Sequence, residues 1–309
     1  MNFKSNINNV INDFRWQDLS SDIEFTAWKN DKIKTFAHVN ATVPISVESL
    51  TNASSDSISK IKNGCRNVNF ALFEIEDLPS SVEEAAKGMT VFAKNFGLRL
   101  RETHRSEGEE GVVALKTTSA KRQKGYIPYT PRALNWHTDG YYNDDNAKVH
   151  SFVLYCYEPA LKGGKNQIID PEIAYMRMRD ENPDFVRAFM HPEAMTIPAN
   201  EEDDGDGRPA SVGPVFFADQ VSGRLQMRYT ARTRSIEWRD DAVTREAAAW
   251  MHEWLGQGDE FMVQLRMKAG QGVLNNNVLH NRTSFVDDPT GGGQRTMMRA
   301  RFHDRISEE

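Results

Sequence analysis

Along most of the chain, apolar residues come in short runs separated by Gly, Pro, Asn and Asp, the pattern of strands joined by turns. NVNFALFEI (67–75), VHSFVLYCYEPA (149–160), EFMVQLRM (260–267), GVLNNNVLH (272–280) and QRTMMRARF (294–302) are rich in β-branched or aromatic residues and are expected as strands. LKGGKNQIID (161–170) adds a Gly-Gly turn and a further short strand, so 149–170 predicts a hairpin. Helical spacing is confined to fewer places. Ala85, Met89, Phe92, Ala93 and Phe96 recur on one face after Ser81, which forms a capping box with Glu84, and Gly97 is the expected stop. A second helix is expected from about Asp241 to Leu255, with Val243, Ala247, Trp250, Met251, Trp254 and Leu255 on one face and Gly256 ending it. Pro183 opens a short helix through about Met190. In the first sixty residues, IEFTAW, IKTFAHV and ATVPI alternate with polar breaks and predict short strands and turns. Many short strands, two covering helices and no internal repeat predict a mainly β fold, a distorted jelly-roll barrel. Residues 1–64 read as an N-terminal extension packed on the core, and 65–309 as the main domain.

Composition narrows the picture to small-molecule work. A hydrophobic share of 39% over 309 residues, with no run long enough to span a bilayer, excludes a membrane-embedded chain. The first twenty residues lack the continuous apolar stretch of a secretory leader, so the expected location is cytoplasmic. Cys65 and Cys156 stand far apart with no Cys/His cluster, which predicts buried free thiols and not a disulfide framework or zinc finger. A net charge of -6 argues against a nucleic-acid partner, whose phosphates demand a basic face. NEEDDGDGRP (200–209) holds five acids and no large apolar residue, and is expected as a mobile surface loop or lid.

The chemistry begins at NWHTDGYY (135–142). In a strand, His137 and Asp139 project from one side with Thr138 turned away. Much later, His280 closes the apolar strand VLH. Two His and one carboxylate on facing strands leave adjacent positions of an octahedral metal open, the facial triad of non-haem Fe(II) oxygenases. In QRTMMRARF, Arg295, Met297, Arg299 and Arg301 share a face by alternation; if that face looks into a barrel, its guanidinium groups require anions, and carboxylates suit them bidentately. Tyr141 and Tyr142 follow the metal motif and are placed to line a substrate pocket.

Taken in order, NWHTDG, GGKNQIID, VLHNRTSF and RTMMRARF resemble the taurine dioxygenase (TauD/TfdA-like) family of Fe(II)/2-oxoglutarate-dependent oxygenases over about residues 65–303. The resemblance implies a double-stranded β-helix core, with His137, Asp139 and His280 as iron ligands and 2-oxoglutarate and dioxygen as co-substrates. It further implies that Arg295 grips the distal carboxylate of 2-oxoglutarate and that Arg299 faces the substrate's anionic group. Asn166 stands where the family usually has a Thr that bonds the 2-oxoglutarate carboxylate, and its amide can also donate. Asn135 matches an Asn beside the active site, and Tyr141 is a further substrate contact. The implied activity is hydroxylation of a small polar, anionic metabolite with release of succinate and CO2. Desaturation, cyclisation or C–heteroatom cleavage by the same chemistry, and a non-catalytic metal-binding barrel, stay open at this point. So does a homo-oligomer, for which no residue identifies a contact surface.

Overall fold

A computed structural model describes residues 15–102, 111–118, 127–200, 207–290 and 293–306. Two sheets face each other. The larger has six strands in the spatial order Ile45–Val47, Phe70–Ile75, Gln271–Asn275, Ser151–Glu158, Thr296–Phe302 and Val113–Leu115, antiparallel except for the first pair. The smaller has four antiparallel strands in the order Val263–Leu265, Asn166–Ile169, Leu279–Arg282 and Leu134–His137. Alternation along each strand sorts the side chains. On Thr296–Phe302, Met298, Ala300 and Phe302 pack outward with Ile61, Cys65, Met89 and Phe92, while Met297 joins Phe152, Leu154, Ile168 and Val278 in a core shared by both sheets. This is a jelly roll with helices on its outer faces, as the pattern of short strands predicts.

Several elements depart from expectation. From residue 15 to 60 the chain is not mainly strands: Asp22–Val39 and Ser55–Val68 are helices, capped by Ser21 and Ser54. Of the strand runs predicted there, ATVPI (41–45) meets a strand only at its last residue, Ile45, which opens Ile45–Val47. The aromatics of IEFTAW and IKTFAHV pointed to β structure, yet Phe25, Lys32 and Phe36 form the buried stripe of one helix. NVNFALFEI starts pairing only at Phe70, because Asn67 and Val68 end a helix and Asn69 turns at φ 63°. The hairpin over 149–170 does not form. Ser151–Glu158 belongs to the six-stranded sheet and Asn166–Ile169 to the four-stranded one, so the Gly-Gly segment is a crossing between sheets. Gly163 there has φ +75°, and a Cβ on it would sit 2.2 Å from the Ser284 carbonyl oxygen.

Helix Pro171–Glu181 was not anticipated, although Asp170 as cap and Pro171 in the first turn are its start signal. The helices at 82 and 242 begin after Ser81 and Asp241 as expected, and Pro183–Phe189 is present. The 82 helix stops at Lys94, before Gly97; the 242 helix runs to Gln257, and Gly258, not Gly256, follows it. Both cysteines are buried and free. Residues 201–206 of the acidic segment lie outside the described residues.

Beneath the N-terminal helix sits a buried ion cluster. Lys32 Nζ lies 2.6 Å from Asp170 and 2.5 Å from Glu172, and donates to the Asn67 carbonyl. It ties helix Asp22–Val39 to the cap of Pro171–Glu181, and so to the strand Asn166–Ile169 that precedes it.

Candidate active site

The strands Leu134–His137 and Leu279–Arg282 place His137 directly opposite His280, with the two rings 4.2 Å apart between centroids. The chain then turns out of its strand, so that Asp139 comes back beside both rings. Its backbone is held by Asn277: the Asp139 N–H donates to Asn277 Oδ1 at 2.7 Å, and Asn277 Nδ2 donates to the Asp139 carbonyl at 2.9 Å. One donor atom from each of His137, Asp139 and His280 can be chosen so that all lie within 4.8 Å of one another, and all three residues are buried.

The protonation pattern of this cluster follows from its neighbours. His137 Nδ1 lies 2.8 Å from the Asn135 carbonyl oxygen and His280 Nδ1 3.0 Å from that of Val278. A carbonyl only accepts, so each Nδ1 carries the proton and each Nε2 keeps its lone pair. Burial, and then the neighbouring His280, push His137 down to about 3, and burial lowers His280 as well. Burial alone would favour a neutral Asp139, but Arg299, then Arg301, hold its carboxyl below the usual range. Arg299 Nη1 donates to Asp139 Oδ1 at 3.0 Å, whereas Asp139 Oδ2 is buried without a partner. Two free imidazole nitrogens and a carboxylate, with His137 Nε2 3.8 Å from Asp139 Oδ1, are the donor set of a divalent transition metal.

The arginines of the last strand have separate fates. Arg299 is engaged with Asp139. Arg301 pairs with Glu102 and donates to the Tyr142 hydroxyl at 3.1 Å. Arg295, 4% exposed, has no hydrogen-bond partner for its guanidinium among the described residues, and burial lowers its pKa to about 10. It packs over Phe285 at 4.9 Å and lines a small cleft with Gly164, Asn166, Cys156, Arg266 and Met297. A Cβ at Gly164 would lie 3.3 Å from Arg295 Nε, so glycine leaves the space beside that group open. A buried cation facing a cleft with no anion is what a carboxylate-bearing co-substrate would complete. Asn166 faces the same cleft, but its Nδ2 already donates to the Asn281 carbonyl, and its buried Oδ1 is the unpartnered atom.

Tyr141 is buried edge-on to His137, with ring centroids 6.3 Å apart. Asn135 is exposed and supports His137 through its backbone carbonyl. Sequence reading did not identify Asn277 or Glu102. The run Asn275–Asn277 just before VLH carried a signal for the first: three adjacent amides in an apolar strand must satisfy backbone groups, and Asn277, at φ 53°, does so for Asp139. Nor did it find the segment 228–232, which lies along Leu134–His137 through the bridge His137↔Thr230.

The family model "Taurine catabolism dioxygenase TauD, TfdA family" matches residues 32–301, which begins well inside the segment expected as an extension. A uridine-5'-phosphate dioxygenase from a Streptomyces species is 27% identical over 221 residues, covering 68% of this chain and 77% of that protein. Among solved structures, asparagine oxygenase in complex with Fe(II), hydroxyasparagine and succinate superposes with a TM-score of 0.56 at 12% identity, over 91% of this chain and 92% of that one. The non-haem iron oxygenase OrfP, in complex with Fe and α-ketoglutaric acid, gives 0.56 at 12% over 91% of each. At such identities the structural matches speak for the fold.

Proposed function

From the premise that this chain belongs to the taurine catabolism dioxygenase TauD, TfdA family, and is thus a 2-oxoglutarate-dependent non-haem iron dioxygenase, we propose that it hydroxylates a small anionic metabolite of the nucleoside 5'-phosphate class. The observation that carries the reading is the convergence of His137, Asp139 and His280 in one buried cluster, with donor atoms within 4.8 Å of one another and His137 Nε2 3.8 Å from Asp139 Oδ1. His137, Asp139 and His280 are the residues that would hold Fe(II). Bound there with 2-oxoglutarate and dioxygen, the metal supplies an oxidant able to take a hydrogen atom from an unactivated C–H, with succinate and CO2 released.

The chain's own contribution is placement and charge. The Asn135 and Val278 carbonyls fix both imidazoles as Nδ1–H tautomers, which aims Nε2 at the metal position. Arg299 keeps Asp139 ionised through one oxygen and leaves the other free. Arg295 is assigned to the distal carboxylate of 2-oxoglutarate, in the cleft that it shares with Asn166. Asn166 Nδ2 donates to the Asn281 carbonyl and keeps its second N–H, so it can assist Arg295 in holding that carboxylate. Tyr141 walls the substrate side of His137 and helps to exclude water.

The substrate class is favoured by the relative named for uridine-5'-phosphate and by the arginines beside Tyr141. Purified protein given Fe(II), 2-oxoglutarate and uridine 5'-monophosphate should form succinate together with an oxidised product. No succinate above the substrate-free rate, with that nucleotide or with related nucleoside monophosphates, would contradict the substrate class.

A further inference from the structure

Arg299, the residue expected to meet the substrate's anionic group, is tied to Asp139 at 3.0 Å, and Arg301 is tied to Glu102. If the substrate is a phosphate ester, some other cation must meet it. We infer that Arg232, supported by Arg208, forms the subsite for the substrate's phosphate; this rests on the nucleotide reading above.

The bridge His137↔Thr230 lays the segment 228–232 along the first metal-site strand. Residues two apart on an extended segment share a face, so Arg232 follows Thr230 on the side that His137 presents. The Arg232 guanidinium lies over the Tyr141 ring at 5.7 Å, and that ring stands 6.3 Å from the His137 ring. Two short steps therefore lead from the metal site to an exposed guanidinium with no hydrogen-bond or ion-pair partner among the described residues.

Arg208 sits beside it, over Tyr142 at 5.7 Å. Three of its N–H groups bond backbone: Nη1 donates to the Pro209 carbonyl at 2.8 Å and the Tyr142 carbonyl at 3.3 Å, and Nη2 to the Pro198 carbonyl at 2.7 Å. Arg208 is thus a fixed positive charge, and Arg232 is the group left to close on a ligand. Burial and then the nearby Arg232 disfavour the Arg208 charge, while the groups that favour it are tyrosines and not carboxylates. Two like charges at the mouth of a site, framed by aromatic rings and lacking a counter-anion among the described residues, suit a dianionic phosphate, which guanidinium binds bidentately. The rings offer apolar walls for the remainder of the ligand.

Calorimetric titration of the anaerobic protein loaded with Fe(II) and 2-oxoglutarate, with uridine 5'-monophosphate and separately with uridine, tests the subsite. Succinate formation is followed in parallel. Wild type should bind the nucleotide at least tenfold more tightly than the nucleoside. Arg232→Ala should lose most of that preference, raise KM for the nucleotide without a matching fall in kcat, and leave uridine binding unchanged. Arg232→Lys should recover part of it, and Arg245→Ala, which removes an equal charge from an exposed helical ion pair, should behave as wild type. Wild-type nucleotide affinity in Arg232→Ala would overturn the inference and leave the nucleotide reading standing. No preference of wild type for nucleotide over nucleoside would also overturn it. Wild type that responds to neither ligand would overturn the nucleotide reading and the inference together.

Discussion

Asp139 Oδ1 accepts from Arg299 and lies 3.8 Å from His137 Nε2, while its Oδ2 is buried without a hydrogen-bond partner. If Arg299 acts through that carboxylate, Arg299→Ala should weaken Fe(II) binding about 10–100-fold, the usual effect of losing an outer-shell partner. Unchanged metal affinity, measured by anaerobic titration, would return Arg299 to the role of substrate contact. The motif residues were readable because their chemistry is local: H-x-D sits at strand spacing, and the second His ends an apolar run. The ion pair that redirects Arg299 was not, since it joins residues 160 positions apart, and no periodicity encodes which inward-facing arginine meets which carboxylate. Asn166 shows the same limit, for its residue type announced a donor but not that one of its two N–H groups is taken by the Asn281 carbonyl.

Among the elements, those with both a period and a cap were legible. The helices at 82 and 242 have Ser81 and Asp241 accepting from the third residue onward, followed by a buried stripe. The N-terminal helix was misread because aromatics dominate its apolar positions and because Lys32, polar in sequence, is one of its buried residues. That lysine is held between Asp170 and Glu172, where the two carboxylates outweigh the tendency of burial to lower its pKa. Lys32→Met should leave two carboxylates buried and uncompensated, a loss of roughly 3–5 kcal/mol. Chemical denaturation would detect it as a fall in midpoint, and an unchanged midpoint would mean that the N-terminal helix contributes little to the fold. The failed hairpin at 149–170 has a different cause: a Gly-Gly turn marks a reversal but not the sheet that receives the next strand.

For the molecule as a whole, the jelly roll was foreseeable from strand count and turn spacing, whereas the order of strands across the two sheets was not, because apart from Ile45–Val47 with Phe70–Ile75 the main-sheet neighbours pair segments far apart in the chain. Its buried histidines make a prediction about the metal-free protein. His137 is pushed down to about 3 and His280 is lowered too, while the unfolded chain protonates both near about 6.5. Between those values the unfolded state binds more protons, so stability is level above about pH 6.5 and declines as pH falls toward 3, by at most roughly 1.4 kcal/mol per unit for each imidazole. Depression of the Asp139 pKa acts in the same direction, its stabilisation being lost below the ordinary carboxylate range. The melting temperature of metal-free protein should therefore drop measurably from roughly pH 7.5 to roughly pH 5. A flat profile would mean that the imidazoles are not buried as neutral groups.

The central claim is that His137, Asp139 and His280 hold Fe(II) while Arg295 anchors 2-oxoglutarate beside it. Anaerobic addition of Fe(II) and then 2-oxoglutarate to the metal-free protein tests both parts at once, through the visible charge-transfer absorption of a keto acid chelated to ferrous iron. The account predicts that the band develops in wild type and is absent in His280→Ala. In Arg295→Ala it should require about thirtyfold more 2-oxoglutarate or beyond, since stranding a buried charge costs roughly 2–5 kcal/mol. Iron binding with no band in wild type, or a band that survives His280→Ala, would contradict it.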